Sequence, residues 1–390
     1  MSNMDRRSWL KAGAMFTGSL AFLSAPLSRL SAMPVPPPAP LPTLPRITDA
    51  DIAHSAPPEL KARLFFNENP FGPSEKAKQA MQAAIGNSYQ YPFAEVRVLQ
   101  GKIAAYEGIA PEQVLLGSGS SPLLMAAAVH YCKPGDSMIS GETTYDALPS
   151  YAEKLGARCV KVPLTADHKL DLDAMEKAID ATTRLIYICN PNNPTATVVD
   201  TAQLKAFCER VSKKVMVFVD EAYIDYLPDP QSVTLIDSVK KGQNIIVART
   251  FSKLYGFAGM RVGYVTAQPD TIKALNKYTD GPYCISAPAL HGALVAYQDK
   301  EFLQDALKKT LASRDFLYKT LTAEGYEYIP SSANFVMFPL KMDGKRFVAE
   351  MQKRSVGIRN WTMQGKEWCR ISIGRMDEME VFAAAFKELS

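Results

Sequence analysis

Histidine is scarce in this chain, with four residues in 390. Cysteine is sparse too: Cys132, Cys159, Cys189, Cys208, Cys284 and Cys369 nowhere form a C-x-x-C pair. With so few sulfur and imidazole ligands, at no ligand spacing, no metal site is expected. Most of the cysteines sit in apolar runs such as Ile186-Tyr187-Ile188-Cys189, and read as small buried residues rather than disulfide partners. An excess of one charge is lacking as well. The 44 Lys and Arg against 40 Asp and Glu leave +4, too little to imply nucleic acid. No internal repeat stands out. What remains is an ordinary globular composition, 47% hydrophobic and 22% charged, in a chain long enough for one large core and a smaller one.

One long uncharged apolar run exists, Ala12 to Leu27, preceded by Asp5-Arg6-Arg7-Ser8-Trp9-Leu10-Lys11. Twin arginines, a bulky apolar pair and a lysine before a modest apolar region resemble a twin-arginine export signal. Asp5 stands where Ser or Thr is usual, and Trp9 where Phe is usual. Such signals are read by a translocase that carries folded proteins, which implies a periplasmic location. The run is near the short limit for a membrane span and contains Pro26, which favours export over an uncleaved anchor that would tether the protein. Cleavage fits after Ala32 or after Ala25. Residues 1–32 are thus read as signal and 33–60 as linker, with a Pro-rich tether from Pro34 to Pro45.

The rest is organised around Arg249-Thr250-Phe251-Ser252-Lys253-Leu254-Tyr255-Gly256-Phe257-Ala258-Gly259-Met260-Arg261. Strand-like Asn244 to Ala248 precedes it, and Arg261 to Val265 reads as a second strand. A lysine held between two strands, with hydroxyls before it and an arginine after, suits a carbonyl and a phosphate on one ligand. Pyridoxal 5′-phosphate (PLP) carries both. A solvated loop lysine is the bland alternative for this stretch alone.

Upstream, Gly117-Ser118-Gly119-Ser120-Ser121-Pro122 opens a helix through His130. Ser120 or Ser121 can cap it, and its free N–H groups make an anion site or simply a capped helix. Apolar strands then alternate with helices: Ser137 to Ser140, Cys159 to Val162, Leu185 to Ile188, and Lys214 to Val219. The pattern predicts an α/β fold with a mostly parallel sheet covered on both faces. Asn193, Asp220 and Lys253 fall at or just after strand ends, where such sheets bind ligands. A helical stretch runs to about Thr322, broken near Gly281-Pro282 and Pro288. Strands are then predicted at Tyr326 to Ile329, Asn334 to Phe338, Gly357 to Arg359 and Cys369 to Ile373, with helices Lys345 to Arg354 and Met379 to Leu389. Residues 61–88 read as an arm plus part of a small domain, 89–280 as the large domain, and 281–390 as the small α+β domain.

In order along the chain stand Asn-Glu-Asn-Pro-x-Gly-Pro, Tyr-Pro, Gly-x-Gly-Ser, Asn-Pro-Asn-Asn-Pro-Thr, Asp-Glu-Ala-Tyr, Ser-Lys-x-x-Gly, Arg-x-Gly and Arg-Ile-Ser-Ile-Gly. With this set the chain, from about Leu64 on, resembles the fold-type I PLP enzymes of the class I/II aminotransferase group, nearest the histidinol-phosphate aminotransferases. The resemblance implies a seven-stranded sheet and a transfer of an amino group from an amino acid or amino-phosphate donor to a 2-oxo acid. It implies that Lys253 forms the Schiff base and moves protons, that Asp220 pairs with the pyridine nitrogen, and that Asn193 and Tyr223 hold the 3′-oxygen. Tyr145 would stack on the ring, and Ser120, Ser121, Thr250, Ser252 and Arg261 would hold the phosphate. Tyr91 would reach the phosphate of a neighbouring subunit in a homodimer. Arg370 would bind the substrate carboxylate. Arg359 stands where the histidinol-phosphate subgroup binds its substrate's phosphate, which Arg370 would share.

Two motifs depart from the family. Ser121-Pro122 stands where Asp-Glu is usual, and Thr195-Ala196 where Thr-Gly is usual. A decarboxylase, C–S lyase or racemase on the same scaffold is the alternative. These reactions differ from transamination in which Cα bond stands perpendicular to the ring.

Overall fold

Apolar strands alternating with amphipathic helices build a twisted sheet covered on both faces. The computed structural model describes residues 59–389; the expected signal and Pro-rich tether lie outside them. Its strands are β1 (Ala62–Arg63), β2 (Val114–Gly117), β3 (Ser137–Gly141), β4 (Arg158–Val162), β5 (Thr183–Cys189), β6 (Met216–Asp220), β7 (Ile245–Thr250), β8 (Gly263–Thr266), β9 (Phe335–Pro339), β10 (Val356–Gly357), β11 (Arg359–Met363) and β12 (Lys366–Ser372). Seven form the large sheet, in the order β2-β8-β7-β6-β5-β3-β4. Strands β3 to β7 run parallel; β8 lies antiparallel to both neighbours.

Period-2 alternation divides the sheet's side chains between two cores. Ile139, Ile186, Val217 and Val247 pack on one face with the helix Thr201–Val211. Met138, Leu185, Phe218 and Ile246 pack on the other with the helix Ser121–Tyr131. Each such side chain contributes roughly 1.5–3 kcal/mol by leaving water, so the register is strongly held. That register sets Cys189 beside Asp220 and Asp220 beside Ala248, levelling the carboxyl ends of β5, β6 and β7.

A second sheet, β11-β12-β9, is antiparallel, and β1 pairs in parallel with β10. Leu317, Phe338, Phe347, Phe382 and Phe386 fill its core, with Ala62 and Leu64 from the arm. The helix Ala287–Ala296 packs instead beside Val114 and Leu116 of β2 and Val262, just before β8. Pro288 does not break that helix but sits in its first turn, behind the Ser286 cap.

Two strand expectations change. Tyr326 to Ile329 is no strand: after Gly325 (φ +69), the Tyr326 N–H turns back to Leu321 O (2.9 Å), and Ile329 alone bonds to Met337. The Gly357 to Arg359 segment divides. Val356–Gly357 pairs with β1, and the chain then enters the β11–β12 hairpin through Gln364-Gly365, both at positive φ as a tight two-residue turn requires. The hairpin sets Arg359 directly opposite Arg370.

Candidate active site

A cavity of about 320 Å³ opens over the carboxyl ends of these strands, and twelve of the thirteen expected site residues line it. Asp220 ends β6 and is buried. Its carboxylate accepts from the Tyr187 hydroxyl (3.0 Å) and the Ala222 N–H (3.1 Å). Burial pushes its pKa up to about 6, while those donors and Lys253 pull it down. A carboxylate so placed is a natural ion-pair partner for a protonated ring nitrogen.

Lys253 sits between β7 and β8, where its Nζ donates to Asn67 O (3.1 Å) and lies 5.3 Å from the centre of the Tyr223 ring. Burial lowers its pKa to about 8, and the Arg370 cation adds to the effect. An amine poised near neutrality is both a nucleophile and a proton carrier.

The opposite end of the cavity is an anion cradle. Ser120 stands at the N-cap of the helix Ser121–Tyr131, yet its side chain makes no capping hydrogen bond, so the capping expectation fails there. Ser121 instead hydrogen-bonds Tyr145. Thr250 Oγ1 is 3.0 Å from Ser252 Oγ, which also accepts from Arg261 Nη1 (3.3 Å). Arg261 holds a left-handed backbone (φ +57), strain that is characteristic of ligand sites. Its guanidinium occupies the space a Cβ at Gly119 would need, so only glycine fits there. A Cβ at Gly263 would come within 2.6 Å of the Ser120 nitrogen.

Arg370 is buried, with Nη1 donating to Asn193 Oδ1 (2.7 Å) and Nη2 to Phe65 O (2.8 Å). Its Nε is buried and has no partner among the described residues. Burial lowers its pKa to about 10, leaving it a cation at neutral pH. Arg359 and Arg370 both lie over the Trp361 ring, at 4.7 and 4.4 Å. Two cations on one aromatic platform, one with an unused N–H, form an anion clamp. Tyr91 is the expected residue that does not line the cavity. It is 75% exposed and beside Phe93, which in turn packs on Tyr283.

Sequence reasoning missed Asn67, Glu68, Tyr187 and Trp361. Asn67 and Glu68 lay inside a quoted motif; Tyr187 and Trp361 carried no signal beyond being aromatic in strands. The donor set fits PLP: an anion cradle at one end, a buried carboxylate at the other, and an amine between.

Comparison with known proteins agrees. The family described as aminotransferase class I and II matches residues 61–386. A histidinol-phosphate aminotransferase of Moorella thermoacetica is 34% identical, over 84% of this chain and 85% of its own. An aromatic amino acid aminotransferase of Mycolicibacterium vanbaalenii is 36% identical, over 82% of this chain and 90% of its own. The crystal structure of histidinol-phosphate aminotransferase from Sinorhizobium meliloti, in complex with PLP, superposes with a TM-score of 0.80 at 26% identity, covering 88% of this chain and 96% of that one. By sequence, fold and the chemistry of its cavity, this chain belongs to the class I and II aminotransferases and is a PLP-dependent enzyme.

Proposed function

We propose that this enzyme takes its amino group from a donor bearing an anionic recognition group, the carboxylate of an amino acid or the phosphate of an amino-phosphate, and passes it to a 2-oxo acid. The observation that carries this is the Arg359–Trp361–Arg370 clamp at the cavity wall. Arg370 takes the donor's carboxylate through paired N–H groups, and Arg359 takes a phosphate or other distal anion. Histidinol phosphate, named for several relatives, has no carboxylate, and Arg370 would share its phosphate with Arg359; aromatic amino acids, named for others, offer a carboxylate to Arg370 and a ring to the Trp361 face. Ser120, Ser121, Thr250, Ser252 and Arg261 hold the cofactor's phosphate, Asp220 its ring nitrogen, Asn193 and Tyr223 its 3′-oxygen, and Tyr145 its ring face. Bound there, PLP supplies the electron sink for a Cα carbanion. Lys253 would hold the aldehyde and would carry a proton on Nζ to and from the donor's Cα.

Adding single donors to the purified holoenzyme, without acceptor, tests this. Loss of the visible band, restored by a 2-oxo acid, supports transamination and names the donor. Product accumulating with the band intact supports a decarboxylase, C–S lyase or racemase instead.

The amine's depressed pKa sets a pH dependence. Only neutral Lys253 attacks the aldehyde, and its folded-state pKa lies near 8 rather than the usual ~10.4. PLP uptake by apoenzyme should therefore quicken about tenfold per pH unit below that value and level off above it. Stopped-flow absorbance reads this; a rate still climbing through pH 10 would contradict it.

The reading extends to place and assembly. The twin arginines Arg6-Arg7 and the apolar run after them support export of the folded enzyme to the periplasm by the twin-arginine translocase. Replacing both arginines with lysine should hold the activity in the cytoplasmic fraction. The exposed Tyr91, Phe93 and Tyr283 support a homodimer in which Tyr91 reaches the neighbouring cradle. Sedimentation of the purified enzyme checks the pairing.

A further inference from the structure

Asn67 lies in the arm, Ser372 ends β12, and Tyr223 follows β6. They meet in a buried chain of hydrogen bonds. The Asn67 backbone N–H donates to Ser372 Oγ (2.8 Å), and the Ser372 hydroxyl donates to Asn67 Oδ1 (3.0 Å). With Oδ1 so engaged, the Asn67 amide has one orientation, and Nδ2 donates to the Tyr223 hydroxyl oxygen (3.0 Å). A phenol that accepts one hydrogen bond keeps its own hydrogen to give. Among the described residues no group accepts that hydrogen, and Tyr223 faces the cavity. Burial pushes its pKa above the ordinary phenol value, so the hydrogen stays on.

The Asn67 backbone is pinned as well. Its carbonyl accepts from Asn334 Nδ2 (3.0 Å) and Lys253 Nζ (3.1 Å), and its φ of +56° is one that asparagine tolerates. Ser372 and Asn67 thus belong to segments more than 300 positions apart, yet both act on one phenol.

We propose that Ser372 and Asn67 are positioning residues that make Tyr223 an obligate donor into the cavity, toward the cofactor's 3′-oxygen, and thereby set the acidity of the bound cofactor. This rests on the reading that Tyr223 faces that oxygen. Neither residue needs to touch the cofactor. Four titratable groups also face Tyr223: Arg370 from β12, Asp220 from β6, Cys189 from β5 and Lys253 from the segment after β7. All four are left in place by a change at Ser372.

The experiment reads the pH midpoint of the visible band of the PLP-loaded enzyme. A donor on the 3′-oxygen stabilises negative charge there and holds the midpoint down; weakening it moves the midpoint up. Tyr223→Phe should raise it. Ser372→Ala, neutral and free of backbone strain, should raise it by roughly half a unit to one unit, and by nothing in the Tyr223→Phe background. Asn67→Asp keeps the shape and the tolerated backbone, but it turns the Tyr223 hydrogen back on itself. Its rise should be larger in wild type than beside Tyr223→Phe, which separates the relay from direct charge. Equal shifts in both backgrounds, or no shift with Ser372→Ala while Tyr223→Phe moves the midpoint, would overturn the relay. A midpoint unmoved by Tyr223→Phe itself would overturn the 3′-oxygen reading and the relay together.

Discussion

Lys253→Ala is expected to lower turnover by about 10⁴-fold or more, the largest single effect in the molecule. Two functions leave with one side chain. The amine that captures the aldehyde is gone, and so is the group that carries the proton at the donor's Cα. Proton transfer by a positioned base alone accounts for roughly 10²–10⁴. The rest of the site should survive, since Asp220 and Arg261 are held by partners other than Lys253: Tyr187 and Ala222 for one, Ser252 and Ala258 for the other. The variant should therefore still bind PLP, and a small added amine should restore part of the lost rate. Single-turnover kinetics with and without methylamine measures both. Activity within tenfold of wild type would remove Lys253 from the chemistry.

The second large effect concerns stability. Behind the cavity, Arg249 bridges two carboxylates, with Nη1 3.0 Å from Glu107 and Nε 3.0 Å from Glu221, all three side chains almost fully buried. Thr234 and the Leu235 N–H complete the shell of Glu221; Tyr264 and Tyr297 hydroxyls lie within 3.4 Å of Glu107. Removing one member of a buried ion cluster leaves the others uncompensated, at about 3–5 kcal/mol. Arg249→Met should cost that much in urea unfolding. The loss should deepen with pH. Burial already holds the Glu221 carboxyl above its ordinary pKa, and Arg249 pulls it back down. Without Arg249 it rises further. A carboxyl with a raised folded pKa gives stability below its unfolded value and loses it as pH climbs through the folded one. The deficit is therefore smallest in acid and grows as pH climbs through that raised value. Adding Glu107→Gln and Glu221→Gln to Arg249→Met should recover part of it. A single variant within about 1 kcal/mol of wild type would show the cluster to be dispensable.

That cluster also illustrates what the sequence could and could not say. Glu221 follows Asp220, and Arg249 precedes Thr250, so both flank residues whose roles the motifs announce. Glu107 lies 142 positions from Arg249, and nothing in its helix marks it as a partner. The large sheet was legible because strands buried on both faces read as unbroken apolar runs, as in Val217-Phe218-Val219. The small sheet was less so. Tyr326 to Ile329 has strand-like residues, but Gly325 turns the chain and leaves Ile329 as its single point of pairing. The β11–β12 hairpin was half seen, because Trp361 and Arg359 alternate with polar residues at the cavity rim. The family's usual glycine after Thr195 is explained by the backbone: Ala196 sits at φ +57, where its methyl is buried but its conformation is costly.

Arg370 and Ser372 lie on the last strand, with the helix Met376–Lys387 beyond them. The cofactor's cradle, carboxylate and lysine are all in hand by β8. During synthesis the parts proposed to grip PLP therefore leave the ribosome before the parts proposed to grip a donor. Between β8 and Arg370, late in its growth, the chain would carry the residues proposed to hold its cofactor without the arginine proposed to hold a donor.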